Sequence, residues 1–260
     1  MVIDTHAHLT DEIYTNVNDI IKNFNANNLS RVFCVAYDLE SAQKCLELSK
    51  KHSTVYSIIG IHPTELELFN PDWLAWLEEQ SVKNYKVIAI GEIGLDYHYP
   101  DTDKEKQKEV FIDQIKLADK LGLPIIIHER DAIEDVLKIL TEYKQFVNNG
   151  GVFHCFNHDF KTYKKIEKLG YFVSFGGIIT FKNAGIVTET VRQVPLSRII
   201  LETDCPYLAP VPYRGKVNEP KYVNWVAQKI AELKNIPLQE IEEQINKNVF
   251  SLFKRLGEKC

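Results

Sequence analysis

Short β-branched runs alternate with amphipathic stretches from one end of the chain to the other, the pattern of strand, crossover helix and parallel strand. The first predicted strand covers residues 1–8, and a helix follows with Val17, Ile20, Ile21 and Phe24 on one face. Further strands are predicted over 31–36, 55–61, 86–91, 124–128, 151–154, 171–174 and 198–201, eight in all. Between them Val110, Phe111, Ile115, Ala118 and Leu121, and later Val187, Val191 and Val194, recur at helical spacing. Two more helices follow the eighth strand, one with Val223, Val226, Ala227 and Ile230 and a last one with Ile241, Ile245, Val249, Leu252 and Phe253. No Gly/Ser or Pro-rich linker, low-complexity tract or close repeat interrupts the series. Residues 1–260 therefore read as one domain, a single (β/α)8 TIM barrel with the extra C-terminal helices against its outside. The competing topology is an open doubly wound sheet, which places a Gly-rich phosphate turn after the first strand; His6-Ala7-His8 stands there instead.

Composition narrows the partners. With 45% hydrophobic and 26% charged residues the chain has the make-up of a folded domain. Thirty-one basic against 36 acidic residues give a net charge of −5, which excludes a protein held to nucleic acid or membrane by bulk positive charge. An anionic substrate must then be captured locally. No apolar run is long enough to span a membrane and the start lacks a secretory signal pattern, so a cytoplasmic protein with no membrane partner and no obligate protein partner is expected. Cys34, Cys45, Cys155, Cys205 and Cys260 are scattered and odd in number, and read as reduced thiols.

A barrel of this kind builds its site at the C-terminal ends of its strands. There strand one ends in His6 and His8, strand four in Glu92, strand five in His128, strand six in His154 and strand eight in Asp204. Residues two apart on a strand share a face, so His6 and His8 can chelate one cation while Ala7 points away. Any one of these histidines alone is more often a satisfied core or rim residue than a ligand. Six ionisable groups in one mouth, however, are costly without a compensating ion. Imidazole suits zinc, and the carboxylates widen tolerance to manganese or magnesium. Six donors exceed the needs of one catalytic ion, so two divalent ions are expected, roughly 3.5–4 Å apart. Cys155 and Cys205 follow two of the donors, and strand alternation turns both thiols away. Lys164, Lys165 and Lys168 read as the solvated face of an outer helix.

The ordered set of motifs resembles the TatD family of metal-dependent deoxyribonucleases, within the amidohydrolase-like barrels. It comprises Asp4-Thr5-His6-Ala7-His8, Gly60-Ile61-His62-Pro63, Gly91-Glu92-Ile93-Gly94-Leu95-Asp96-Tyr97, His128-Glu129-Arg130, His154-Cys155-Phe156, Glu202-Thr203-Asp204-Cys205-Pro206-Tyr207-Leu208 and Arg214-Gly215-Lys216-x-Asn218-Glu219-Pro220. The resemblance covers nearly the whole chain. It implies that His6, His8, Glu92 and Asp204 hold one ion and that Glu92, His128 and His154 hold the other, with Glu92 bridging. Asn157-His158-Asp159 departs from the glycines or serine that some family members carry after His-Cys-Phe, which bears on substrate shape more than on metal.

The implied activity is cleavage of DNA phosphodiesters, at short or single-stranded ends, by metal-activated water. Asp204 is expected to be both ligand and acceptor of the water's proton. His62, Arg130 and Arg214 stand where a phosphate oxygen could be held, although Arg130 could pair with a carboxylate and Arg214 could be a loop charge. Tyr207 could stack on a base or pack its loop, and Asp96 could orient a ligand histidine or cap a turn. The alternative activity is hydrolysis of an amide, lactone or phosphotriester on the same barrel. Many such barrels bridge their ions with a carboxylated lysine at the fourth or fifth strand, whereas this chain offers Glu92 and His128.

Overall fold

Eight strands hydrogen-bond side by side in chain order, every neighbouring pair parallel, in the computed structural model, which describes residues 1–66 and 71–257. They are β1 (Val2–Ala7), β2 (Leu29–Val35), β3 (Val55–Ile59), β4 (Val87–Asp96), β5 (Ile125–Arg130), β6 (Gly151–Phe153), β7 (Phe172–Phe175) and β8 (Ile199–Leu201). A parallel bridge between Ala7 and Cys205 joins the last strand's continuation to the first and all but closes the barrel. Helices α1 (Val17–Lys22), α2 (Leu39–Lys51), α3 (Pro71–Lys83), α4 (Lys104–Leu121), α5 (Ile133–Glu142), α6 (Phe160–Lys168) and α7 (Gly185–Gln193) return the chain between strands. Helices α8 (Val223–Lys234) and α9 (Leu238–Leu252) pack over the β8–β1 seam, where the ladder is thinnest. There Asn248 of α9 donates to the Leu196 and Ile199 carbonyls at 2.8 Å. The expected TIM barrel with extra C-terminal helices is the fold of this chain.

Strands buried on both faces read as unbroken apolar runs, and β8 and the start of β5 are such runs. The helices bury one stripe each: Val110, Phe111, Ile115 and Ala118 of α4 face the sheet. Side-chain carboxylates start several of them, Asp38 capping α2, Asp103 capping α4 and Asp159 capping α6. Lys164 and Lys165 of α6 pair with Glu167 and Glu134 on the outer surface, as a solvated face does. No helix of the described residues is long and apolar enough to cross a membrane. Cys34, Cys45, Cys155 and Cys205 are free thiols; Cys260 lies outside the described residues.

The strand ends differ from those expected. β3 stops at Ile59, β5 continues through Arg130 and β4 runs on to Asp96, so Glu92 sits inside β4 rather than after it. The reason is a bulge. From Ile90 to Ile93, β4 spends one residue more than β5 does from Ile125 to Ile127, and β1 does the same against β2 between Asp4 and Ala7. A bulge re-aims side chains without ending a strand. The extra residues fall at the level of Glu92 and His6, the two side chains that meet at the centre of the mouth.

Gly94, paired with His128 across the β4–β5 ladder, adopts φ +143°, and a Cβ there would stand 2.0 Å from the His128 carbonyl oxygen. Gly94→Ala is therefore expected to cost roughly 3 kcal/mol, through forbidden backbone and a clash with main chain. For a chain of this size that lowers the melting temperature by about 6–12 °C. A calorimetric melt of the variant matching the wild type would show that β5 can retreat.

Candidate metal centre

The site is assembled around one carboxylate. Glu92 is buried, and its two oxygens face different pairs of imidazoles. Oε2 lies 3.3 Å from His6 Nε2 and 3.8 Å from His8 Nε2; Oε1 lies 2.6 Å from His154 Nε2 and 2.7 Å from His128 Nδ1. Asp204 Oδ1 closes the first pair at 3.4 Å from His8 Nε2 and 3.8 Å from His6 Nε2. The six predicted donors thus converge from β1, β4, β5 and the turns after β6 and β8. His62 joins them, its ring 4.3 Å from that of His128 and its Nε2 3.7 Å from Glu92 Oε1.

Outer contacts fix most of these rings. His8 Nδ1 faces the Val35 carbonyl at 3.1 Å, leaving Nε2 toward the carboxylates, and His128 Nε2 meets Asp96 Oδ2 at 3.0 Å. Asp96 is held in turn by Gln107 of α4, which accepts from the Asp96 N–H and donates to its carbonyl. Gln114, seven residues along α4, grips Ile61 in the same two-way manner and so steadies the segment that carries His62. Of the two roles open to Asp96, the contact with His128 is present, alongside a bond from the His98 N–H. Asp96→Asn is expected to weaken metal uptake about 10- to 100-fold, because the amide cannot hold His128 in one tautomer. Equilibrium dialysis against manganese checks this, and unaltered affinity would sink it.

Electrostatics follow the same division. Burial alone would raise the Glu92 pKa, but His154 and His6 and the bonds from His128 and His154 hold it well below the usual carboxylate range. Burial opposes protonation of His8 and His128, yet the Asp204 contact on one and the Asp96 and Glu92 contacts on the other push both up to about 9. His6 moves down to about 4, through burial and then the neighbouring His154. The pocket demands positive charge beside its carboxylates. Meanwhile both ring nitrogens of His6 and Nδ1 of His154 are buried without a hydrogen-bond partner. Buried imidazole nitrogens left without a hydrogen bond beside an ionised carboxylate fit the donor set of a divalent cation. Among the described residues three groups have ligand atoms close enough for this: His6, His8 and Glu92; His62, Glu92 and His128; and His6, His154 and Glu202.

Two residues thereby take larger parts than expected. His62, anticipated as a phosphate contact, is packed among the donors, its Nδ1 2.7 Å from Thr64 Oγ1. Glu202 carried no expected role. It is fully buried beneath His154, accepts from the Cys155 N–H and Ser174 Oγ at 2.6 Å, and burial lifts its pKa to about 7. Its only sequence signal is its place two residues before Asp204, at the end of β8. Asp4 is a second unanticipated buried acid, bonded to the Thr203 N–H and hydroxyl under the site.

The open side is a cleft of about 570 Å³, walled by Tyr37, His62, Tyr99, Arg130, Asp204 and Tyr207. Arg130 is exposed over the Tyr99 ring, and no carboxylate among the described residues pairs with it. Tyr207 stands 55% exposed, with its hydroxyl on Asp11. Arg214 does not line the cleft: its guanidinium lies on the Phe181 ring at 3.7 Å, drawn there by the cation–π contact. Neither Cys155 nor Cys205 lines it, but strand alternation is not the cause. Both follow strand ends, in turns where Cys155 and Asp204 have positive φ. The unusual Asn157-His158-Asp159 segment is used locally, His158 bonding Glu129 at 2.5 Å while Asp159 caps α6.

A parallel eight-stranded barrel with a histidine and carboxylate cluster of this kind at its C-terminal mouth defines the metal-dependent barrel hydrolases. A family model described as TatD related DNase matches residues 3–254. The uncharacterized metal-dependent hydrolase YabD of Bacillus subtilis (strain 168) is 43% identical over 255 residues, covering 98% of this chain and 99% of that protein. YcfH of Escherichia coli (strain K12), described in the same words, is 37% identical over 256 residues, 97% of this chain and 95% of its own. The crystal structure of YJJV, a TatD homolog from Escherichia coli K12, superposes with a TM-score of 0.92 at 27% identity, over 97% of this chain and 98% of that one. The chain belongs to the TatD-related DNase family.

Proposed function

We propose that this protein is a two-metal phosphodiesterase that cleaves DNA. The reading is carried by the Glu92 carboxylate, whose two oxygens serve two separate sets of nitrogen donors. His6, His8, Glu92 and Asp204 would hold one divalent ion, and Glu92, His128 and His154 the other, with zinc, manganese or magnesium as the candidates. When bound, such ions lower the pKa of water and neutralise charge on phosphoryl oxygens.

The chain's own side chains supply the rest. Asp204, at the edge of the cleft, accepts the proton of the attacking water while its Oδ1 stays within reach of His8. Arg130, unpaired and on the cleft wall, offers a guanidinium to a non-bridging phosphate oxygen, and Tyr207 offers a ring face to a base. The family description and the names of YabD and YcfH support metal-dependent hydrolysis. No lysine lines the cleft among the described residues, which favours a phosphodiester over the amide, lactone or phosphotriester alternative that many lysine-bridged barrels take.

The test is a panel of single-stranded DNA, a lactone and a phosphotriester, each with manganese or zinc and again with chelator. Metal-dependent DNA cleavage is expected. Turnover of the lactone or phosphotriester with intact DNA would overturn the reading.

A further inference from the structure

The chain leaving Asp204 does not enter the next helix at once. As far as Asn218, which donates to the Thr203 and Tyr207 carbonyls, it stays beside the turn after β8; it then passes to α8, whose Asn224 donates to the Asn27 carbonyl just before β2, and along the way rings and cations touch one another. Tyr207 comes first, at the cleft wall. Beyond it, the Tyr213 ring stacks on Tyr222 at 4.1 Å, with Trp225 against it at 5.9 Å. The Lys216 ammonium sits 5.8 Å over Tyr213, and the exposed Arg214 lies flat on Phe181. Neither Arg214 nor Lys216 has a carboxylate partner among the described residues, whereas Lys221 is paired with Glu219. Across the cleft the charges are mixed: Glu65 lines it, Asp101, Asp103 and Lys106 border the adjoining groove beside Tyr99, and Arg130 stands over the Tyr99 ring. A polyanion leaving the cleft by Tyr207 meets, beyond the Asp11 carboxylate, two cations set among aromatic rings, neither with a carboxylate partner among the described residues.

We propose that the DNA strand flanking the scissile phosphate leaves the cleft over Tyr207 and lies along this segment, its phosphates on Arg214 and Lys216 and a base against Tyr213 and Trp225. The proposal rests on the deoxyribonuclease reading and gives that site a direction. Rings with interleaved cations bind single strands without sequence preference, and each stacked base contributes roughly 5- to 150-fold in affinity. Each cation on a phosphate adds about 0.7 to the salt dependence for a single strand. Such a track needs no net positive protein. It also gives Arg214 a place outside the cleft, on a neighbouring phosphate rather than the scissile one.

The experiment pairs a charge-reversed double variant, Arg214→Glu with Lys216→Glu, with photocrosslinking of an iododeoxyuridine-substituted thymidine oligomer to the wild-type protein. The double variant is expected to raise KM for the oligomer about 10-fold or more and to lower the salt slope by about 1.4. Turnover of a small nitrophenyl phosphodiester should stay unchanged. Crosslinks are expected on the peptide holding Tyr213 or the one holding Trp225. Crosslinks at Tyr99 instead, or wild-type KM and salt slope in the variant, overturn the path and leave the nuclease reading standing. A wild-type enzyme that hydrolyses the small diester but neither cleaves nor crosslinks the oligomer removes both. Should the variant melt below the wild type, the crosslink map on the unaltered protein decides.

Discussion

Replacing Glu92 with Gln is expected to abolish hydrolysis, lowering kcat by about 10³-fold or more, and to cut bound metal from the proposed two ions per chain to one at most. The amide matches the carboxylate in shape but has one oxygen where two are needed. Oε1 lies within 2.7 Å of the His128 and His154 nitrogens while Oε2 faces His6, so whichever way the amide is turned, one donor set meets an N–H in place of a lone pair. Metal-derived stabilisation of the transition state amounts to several kcal/mol, and each 1.36 kcal/mol is a factor of ten. The fold should survive, because the apolar strands and helices beneath the mouth make no use of this side chain. Elemental analysis of protein purified without chelator, alongside single-stranded DNA cleavage, reads both quantities. A variant that keeps two ions and its rate would refute the bridging role.

How much of this was legible in the chain depends on whether a residue's task is set locally or by long-range packing. The barrel was readable because each strand and helix repeats a periodicity its own residues impose, and the six candidate ligands were readable because they stand where the apolar run of a strand gives way to polar residues. The end of β4 was not readable: a bulge at Glu92 carries the strand on to Asp96, and a bulge depends on the register of the neighbouring strand. Glu202 was missed for a similar reason. An acid is expected at the surface, and only the fold shows that Ser174 and the Cys155 N–H occupy its oxygens under His154. Arg214 was misplaced because its loop takes its course from Asn218, which is buried and donates to the Thr203 and Tyr207 carbonyls. Those contacts leave the guanidinium over Phe181. Asp4 and Thr203, 199 residues apart, make the same point.

Asp204→Asn should separate binding from chemistry. The residue sits at φ +56°, a conformation Asn tolerates as well as Asp does, and its N–H donates to the His6 carbonyl at 2.9 Å, so the turn after β8 should form unchanged. Asn also keeps an oxygen that can face His8, so metal affinity should fall far less than activity. What disappears is the proposed base. An amide cannot take the proton of the attacking water, and the loss of a positioned general base costs typically 10²- to 10⁴-fold in kcat. The distinguishing measurement is kcat across a metal titration carried to saturation: the deficit should persist on the plateau, while KM for DNA stays within a few fold because Arg130 and Tyr207 are untouched. If added metal restores the wild-type rate, Asp204 serves only as a ligand and the proton acceptor must be sought among the other acids of the cleft, with Glu65 and Asp96 the first to replace.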